Sequence, residues 1–389
     1  MTAPPAVGGP SNAAGAVLVH GARLLDAHGF RDGWLLLRDG RIEAGGDGDP
    51  PEGHRGERID ATGGVLVPGL LDLHLHGGGG RSFDEAADAA AVAVLAAHRE
   101  RGTTGTLASL VSAPIDELER SLLRFAALAE REQGILGVHL EGPFLSPSRA
   151  GAHALEALCE PTADRVDRLL SAGRGVLRSV TLAPELPGGL DAVQRFAEAG
   201  VLVGVGHTEA DYDLTRAAFR RGARFLTHAM NAMPGLGHRA PGPVAAALDD
   251  REAVLELILD GEHVHPALAR LLFAAAPGRI ALVTDAMAGA AAGDGDYLLG
   301  GLEVTVRSGR ATLAGTATLA GSTLTTSAAL RGAIRAGIDP ADAVAALTTV
   351  PGRLLGEGDR RLLRPGSDAG VVLLDGDWAV RRVWPVSGR

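Results

Sequence analysis

Residues 68–77 read Pro-Gly-Leu-Leu-Asp-Leu-His-Leu-His-Gly. An apolar run ends here in two histidines spaced two residues apart. Side chains on a strand alternate faces, so His74 and His76 point the same way. Similar apolar runs recur along the chain. They end at Leu73, Ala108, Leu140, Ala183, Val205, Thr227, Leu259 and Thr284. Helical spacing follows most of them, at Asp84–Glu100, Asp116–Gln133, Asp191–Ala199 and Asp211–Arg221. Eight strand–helix units predict a (β/α)8 barrel. A doubly wound open sheet is the rival, but no G-x-G-x-x-G follows the first strand.

The flanks read differently. Residues 1–16 are Pro, Gly, Ala and polar residues, expected as a loose tail. Short strands are predicted at Val17–Leu24, Trp34–Arg38, Arg41–Glu43 and Val65–Val67, with an Asp39-Gly40 turn between the second and third. Strands are predicted again at Val371–Leu374 and Trp378–Val383. All three tryptophans (Trp34, Trp378, Trp384) fall in these end regions, although aromatics make up only 3% of the chain. One small β domain built from both ends accounts for that clustering. The expected division is 1–67 and 362–389 for this domain and 68–361 for the barrel.

Composition removes several classes of function. The chain has 389 residues, 46% of them hydrophobic, which is ample for a large core. No apolar run approaches the ~18 residues of a membrane span. The net charge of −10 argues against nucleic-acid binding. One cysteine, Cys159, excludes a disulfide framework and multi-cysteine metal sites. It is expected to be an inert structural thiol. With no basic residue before Arg23 and no signal-type stretch, a cytoplasmic location is expected. The chain contains no lysine, so all 37 basic residues are arginine. Schiff-base chemistry, a phosphate-loop lysine and a carboxylated-lysine metal bridge are thereby excluded.

Barrel chemistry sits at the C-terminal ends of the strands. Those ends carry His74 and His76, Glu141, His207, His228 and Asp285. A lone His-x-His is weak evidence, and a lone histidine more often caps a helix or fills a core. Five strand ends of one barrel carrying metal-ligating side chains form a pattern. Neutral imidazoles and a carboxylate suit a divalent ion, and the two oxygens of Glu141 allow it to bridge two ions. His139 shares a strand with Glu141 and is expected behind the site or in packing. His20, His28, His54 and His98 carry no assigned function.

The opening run, Pro68 to His76, resembles the amidohydrolase superfamily. More specific are His139-Leu140-Glu141-Gly142-Pro143-Phe144, Gly206-His207-Thr208-Glu209-Ala210, Thr227-His228-Ala229-Met230-Asn231-Ala232-Met233 and Thr284-Asp285-Ala286-Met287. These resemble the N-acetylglucosamine-6-phosphate deacetylases, from about Val17 to Val383. The resemblance implies a barrel with a small β-sandwich from both termini. It implies that Glu141, His207 and His228 hold one metal, that His74 and His76 hold a second, and that Asp285 is catalytic. It also implies substrate contacts from His153, Asn231, Ala232, Arg239, His263, Leu319 and Gly321, with Arg239 and His263 at the phosphate. The lysine that often precedes Gly151 in the family is here replaced by Arg149 or Ala150. A homodimer is implied, with Arg239 or His263 reaching across the interface.

The expected reaction is hydrolysis of the acetamide of N-acetylglucosamine 6-phosphate to acetate and glucosamine 6-phosphate, a step of amino-sugar catabolism and cell-wall recycling. The ion, one or two per subunit, would be Zn, Fe, Co or Mn, among which the ligands do not choose. It acidifies water, Asp285 moves the proton to the leaving nitrogen, and the metal with His153 stabilises the oxyanion. Three alternatives compete: a nucleobase deaminase with the same ligand set, a deacetylase for another N-acetyl sugar phosphate, and a non-catalytic relative.

Overall fold

The computed structural model describes residues 15–358, 361–367 and 370–386. The expected loose tail lies, save for its last two residues, outside the described residues.

Eight parallel strands form the central sheet: Leu70–Leu75, Thr103–Leu110, Ile135–Glu141, Leu177–Leu182, Leu202–Val205, Ala223–Leu226, Val254–Ile258 and Ile280–Val283. Their order in space is their order in the chain. The circle closes where the eighth returns to the first: the Asp285 N–H donates to the His74 carbonyl at 2.8 Å, and Leu75 bridges Ala286. Every residue of the first and eighth strands is buried, as expected where helices cover a parallel sheet. The first strand runs to Leu75, two residues beyond its expected end, so His74 is on the strand itself.

A helix follows each strand. Asp88–Arg99, Ile115–Ala129, Gly189–Glu198 and Tyr212–Arg220 match the four expected helices within a few residues. Ile115–Ala129 turns Leu118, Leu122, Phe125 and Leu128 inward at three- and four-residue spacing. Asp211 starts its helix by accepting from the Leu214 N–H at 2.9 Å. The remaining helices of the ring are Ala163–Ala172, Gly242–Asp249, Pro266–Ala275 and Thr326–Arg335.

Both ends of the chain share a second, curled sheet. Val371–Leu374 pairs antiparallel with Val65–Pro68 on one side and Val380–Trp384 on the other. The stretch expected as one strand over 17–24 is two strands, Ala16–His20 and Arg23–Asp26. The break falls at Gly21 (φ +80°), where a Cβ would lie 2.6 Å from Oγ1 of Thr62. Trp384 packs inside this sheet with Leu24, Leu66 and Leu373. Trp378 instead lies in a turn with φ +67° and packs on Phe30 and the barrel core. The expected strand therefore begins at Val380.

A third sheet was not anticipated. Gly295–Leu299, Leu302–Arg307 and Arg310–Leu313 form an antiparallel unit between the eighth strand and its helix. Leu299, Val304 and Val306 bury themselves against Val111, Met287 and Ala288. This seats the sheet beside the barrel mouth.

Candidate active site

The expected ligands converge. Nε2 of His207 and Nε2 of His228 lie 3.0 and 3.1 Å from Oε1 of Glu141, and 3.0 Å from each other. Three donor atoms so close can all reach one ion at the ~2.0–2.2 Å of His and carboxylate ligation. A second group, His74, His76, Glu141 and Asp285, shares the same carboxylate. Nε2 of His76 is 3.2 Å from both Oε2 of Glu141 and Oδ1 of Asp285, and 3.1 Å from Nε2 of His74. All six side chains are buried. A buried set of imidazole nitrogens and carboxylate oxygens fits a divalent metal ion.

Backbone and hydrogen bonds aim these groups. His207, His228 and Asp285 each leave their strand with positive φ (45°, 28° and 49°). Non-glycine residues rarely adopt that region, and its clustering here marks a site rather than a fold requirement. Nδ1 of His207 donates to the Arg149 carbonyl at 2.7 Å, which leaves the Nε2 lone pair facing Glu141. The Ser112 N–H donates to Nδ1 of His153 at 3.2 Å, so Nε2 of His153 carries the proton, 3.2 Å from Oε2 of Glu141.

The fields are strong. Burial alone would raise Glu141, but His74, His153 and His207 hold it well below the usual carboxylate range. Burial likewise opposes the charge on Asp285, yet His74 and His76 bring it to about 2. Burial would depress His76, and its bonds to Asp285 and Glu141 lift it to about 9. Burial wins at His153, which is lowered despite Glu141.

These groups open into a cavity of about 350 Å³. Asn231, Ala232, His153, His263, Leu319 and Gly321, the residues that the resemblance gives as substrate contacts, line it. Nδ1 of His263 donates to Asp260 at 2.7 Å. Arg239 does not line this cavity and is exposed. His139 sits behind the site: its nitrogens meet Ser109 and Thr181, and its ring packs edge-on to His74 at 4.6 Å. Cys159 lies in a loop, and burial pushes its thiol up. His98 is buried and bonded to the Gly77 carbonyl, supporting the turn after His76.

Ser148, Leu299 and Thr318 also line the cavity and went unread in the sequence, while Arg149, which lines it too, was read only as a replacement for the family's lysine. Arg149 pairs with Glu209, two residues past His207. Glu256 was also missed. It lies within the seventh strand beneath His74, fully buried. An acid inside the run Val-Leu-Glu-Leu-Ile was the available signal.

The barrel, the His-x-His on its first strand and the ligands on its third, fifth and sixth define a class. Residues 65–384 match the amidohydrolase family, and the chain belongs to it. Within the family it is 41% identical to the N-acetylgalactosamine-6-phosphate deacetylase of Escherichia coli O157:H7, over 82% of this chain and 86% of that one. It is 34% identical to the N-acetylglucosamine-6-phosphate deacetylase of Bacillus subtilis (strain 168), over 76% of each. It also resembles the N-acetyl-D-glucosamine-6-phosphate deacetylase of Mycobacterium smegmatis, solved as a mutant in complex with N-acetyl-D-glucosamine-6-phosphate. That match has 39% identity and a TM-score of 0.90, covering 95% of this chain and 98% of that one. Among the described residues, no helix is long and apolar enough to cross a membrane.

Proposed function

We propose that the chain hydrolyses the acetamide of N-acetylglucosamine 6-phosphate to acetate and glucosamine 6-phosphate. The observation that carries this reading is Asp285, buried 3.2 Å from His76, in the wall of a cavity also lined by Glu141, His207, His228 and His263. The identities with deacetylases of 6-phosphorylated N-acetyl amino sugars support it.

Glu141, His207 and His228 would hold a first divalent ion, and His74 and His76 a second. Such an ion supplies Lewis acidity and lowers the pKa of bound water to about 7. Asp285, ionised, takes a proton from the attacking water. A C–O bond forms to the acyl carbon, the C–N bond breaks, and Asp285 passes the proton to the departing sugar nitrogen. His153 is neutral and presents its Nε2–H, so it donates to the developing oxyanion. His263 is raised: burial opposes its charge, but Asp260 overcomes this, which favours the charged form that suits a phosphate. Arg239, exposed and off this cavity wall, serves the phosphate of a neighbouring copy in a homodimer. We assign the enzyme to the cytoplasm.

The galacto epimer is the second reading, favoured by the identity to the E. coli O157:H7 enzyme. Acetate release from both 6-phosphates, with the free sugars as controls, tests these readings. Turnover of the gluco-phosphate above the galacto-phosphate supports the first, and the reverse order supports the second. Turnover of neither by metal-loaded protein sinks both.

A further inference from the structure

Glu256 stands apart among the buried acids of the barrel. It is only 1% exposed, and among the described residues its Oε2 has no hydrogen-bond partner. Asp72, equally buried, is fully engaged: it accepts from Oγ1 of Thr284 at 2.6 Å and from the N–H groups of Thr284 and His74. An unpaired carboxylate inside a protein is costly, so its retention calls for a partner.

One candidate donor lies beside it. Nδ1 of His74, also buried and without a hydrogen bond, is 3.6 Å from Oε2 of Glu256. A small ring rotation closes that gap. His139, the ring packed nearest to His74, is already committed at both nitrogens. On its far edge, His74 presents Nε2 to Nε2 of His76, Oε1 of Glu141 at 3.4 Å and Oδ1 of Asp285 at 3.5 Å. An imidazole that donates through one nitrogen offers a lone pair at the other.

We propose that Glu256 is a positioning residue for a second metal ion: by accepting the Nδ1 proton of His74 it aims Nε2 at the group formed with His76, Glu141 and Asp285. This rests on the metal-dependent reading of the site. The first ion's ligands are Glu141, His207 and His228, and of these His207 is oriented by the Arg149 carbonyl rather than by Glu256. Occupancy of the two positions is therefore separable. Removing the Glu256 acceptor weakens the second ion by about 10–100-fold and leaves the first unchanged.

The test is metal stoichiometry and chelator competition on Zn2+-loaded protein. Glu256→Met keeps the volume and removes the acceptor. Glu256→Gln keeps an acceptor oxygen. Two equivalents in the wild type, one in the Met variant and two in the Gln variant support the proposal. Two equivalents of unchanged affinity in the Met variant overturn it. So does a single equivalent in the wild type, and the hydrolase reading survives that result. No bound metal at all sinks the metal-dependent reading with it. Should the Met variant fail to fold, 15N imidazole spectra of the metal-loaded wild type decide. A His74 protonated on Nδ1 supports the proposal, and one protonated on Nε2 overturns it.

Discussion

The carbonyl oxygen of Arg149 lies 2.7 Å from Nδ1 of His207. The loop after the third strand therefore orients a ligand from the fifth. The Arg149 side chain reinforces the link by pairing with Glu209, Nε to Oε1 at 2.5 Å. The same loop carries Gly151 and His153 into the cavity. Glu209→Ala should loosen both. The pair is 35% and 44% exposed, so its worth is at most ~1 kcal/mol. Steady-state kinetics should show KM raised by about two- to fivefold. An unchanged KM would dismiss the pair as ordinary surface charge.

Asp285→Asn should retain metal and lose at least ~10³ in kcat, within the usual 10²–10⁴ range for acid–base groups. The Asn side chain also tolerates the φ of 49°, so the fold should persist. Near-normal turnover would remove Asp285 from its assigned role.

His263 and Asp260 give a pH prediction with two signs. Burial works against charge on both, and each overcomes it through the other. The raised His263 contributes stability that is complete below 6.5 and lost as pH rises through its folded pKa. The lowered Asp260 contributes stability present above 3.8 and lost as pH falls through its folded pKa. Melting temperatures should show the pair's full contribution between these limits, and Asp260→Asn should abolish it. Above pH 7 the substrate phosphate, with a pKa of about 6, is dianionic. KM should then climb as His263 loses its proton, and in Asp260→Asn the climb should begin at lower pH. Identical pH profiles would contradict a phosphate contact by His263.

Arg239→Ala should raise KM for the sugar phosphate by about tenfold or more, on a charge-assisted bond of ~1.5–3 kcal/mol, with kcat largely kept. The dimer reading adds a check. Mixing Arg239→Ala with Asp285→Asn protein should form hybrids in which one site has both residues intact. Recovered activity fits a shared phosphate site. Efficient binding by a monomer would reject it.

The sequence disclosed the site better than its surroundings. Each of the five central ligands and Asp285 terminates or follows an apolar run, and barrel geometry forces such positions together. The sheet over 295–313 escaped notice because Gly293, Gly295, Gly300, Gly301 and Gly309 punctuate it, so its alternation spans only a few residues at a time. Trp378 was misplaced because local bonds outweighed strand propensity. Asp375 accepts from the N–H groups of Asp377 and Ala379 and closes a turn around it. Glu256 was overlooked because period two reveals which face a residue takes but not what waits there. Arg239 was legible as a motif, while its distance from the cavity depends on how the segment at 234–241 is laid out, which spacing alone does not encode.

The antiparallel pairing of Val65–Pro68 with Val371–Leu374 carries a cost for synthesis. Residues 69 to 370 must leave the ribosome before that pairing can form. Until then the earlier strand has a bare edge, open to other nascent chains. The time a polysome takes to translate the barrel therefore sets how long each chain is sticky. Slow codons in the barrel should lower the soluble yield even though the finished enzyme is unchanged.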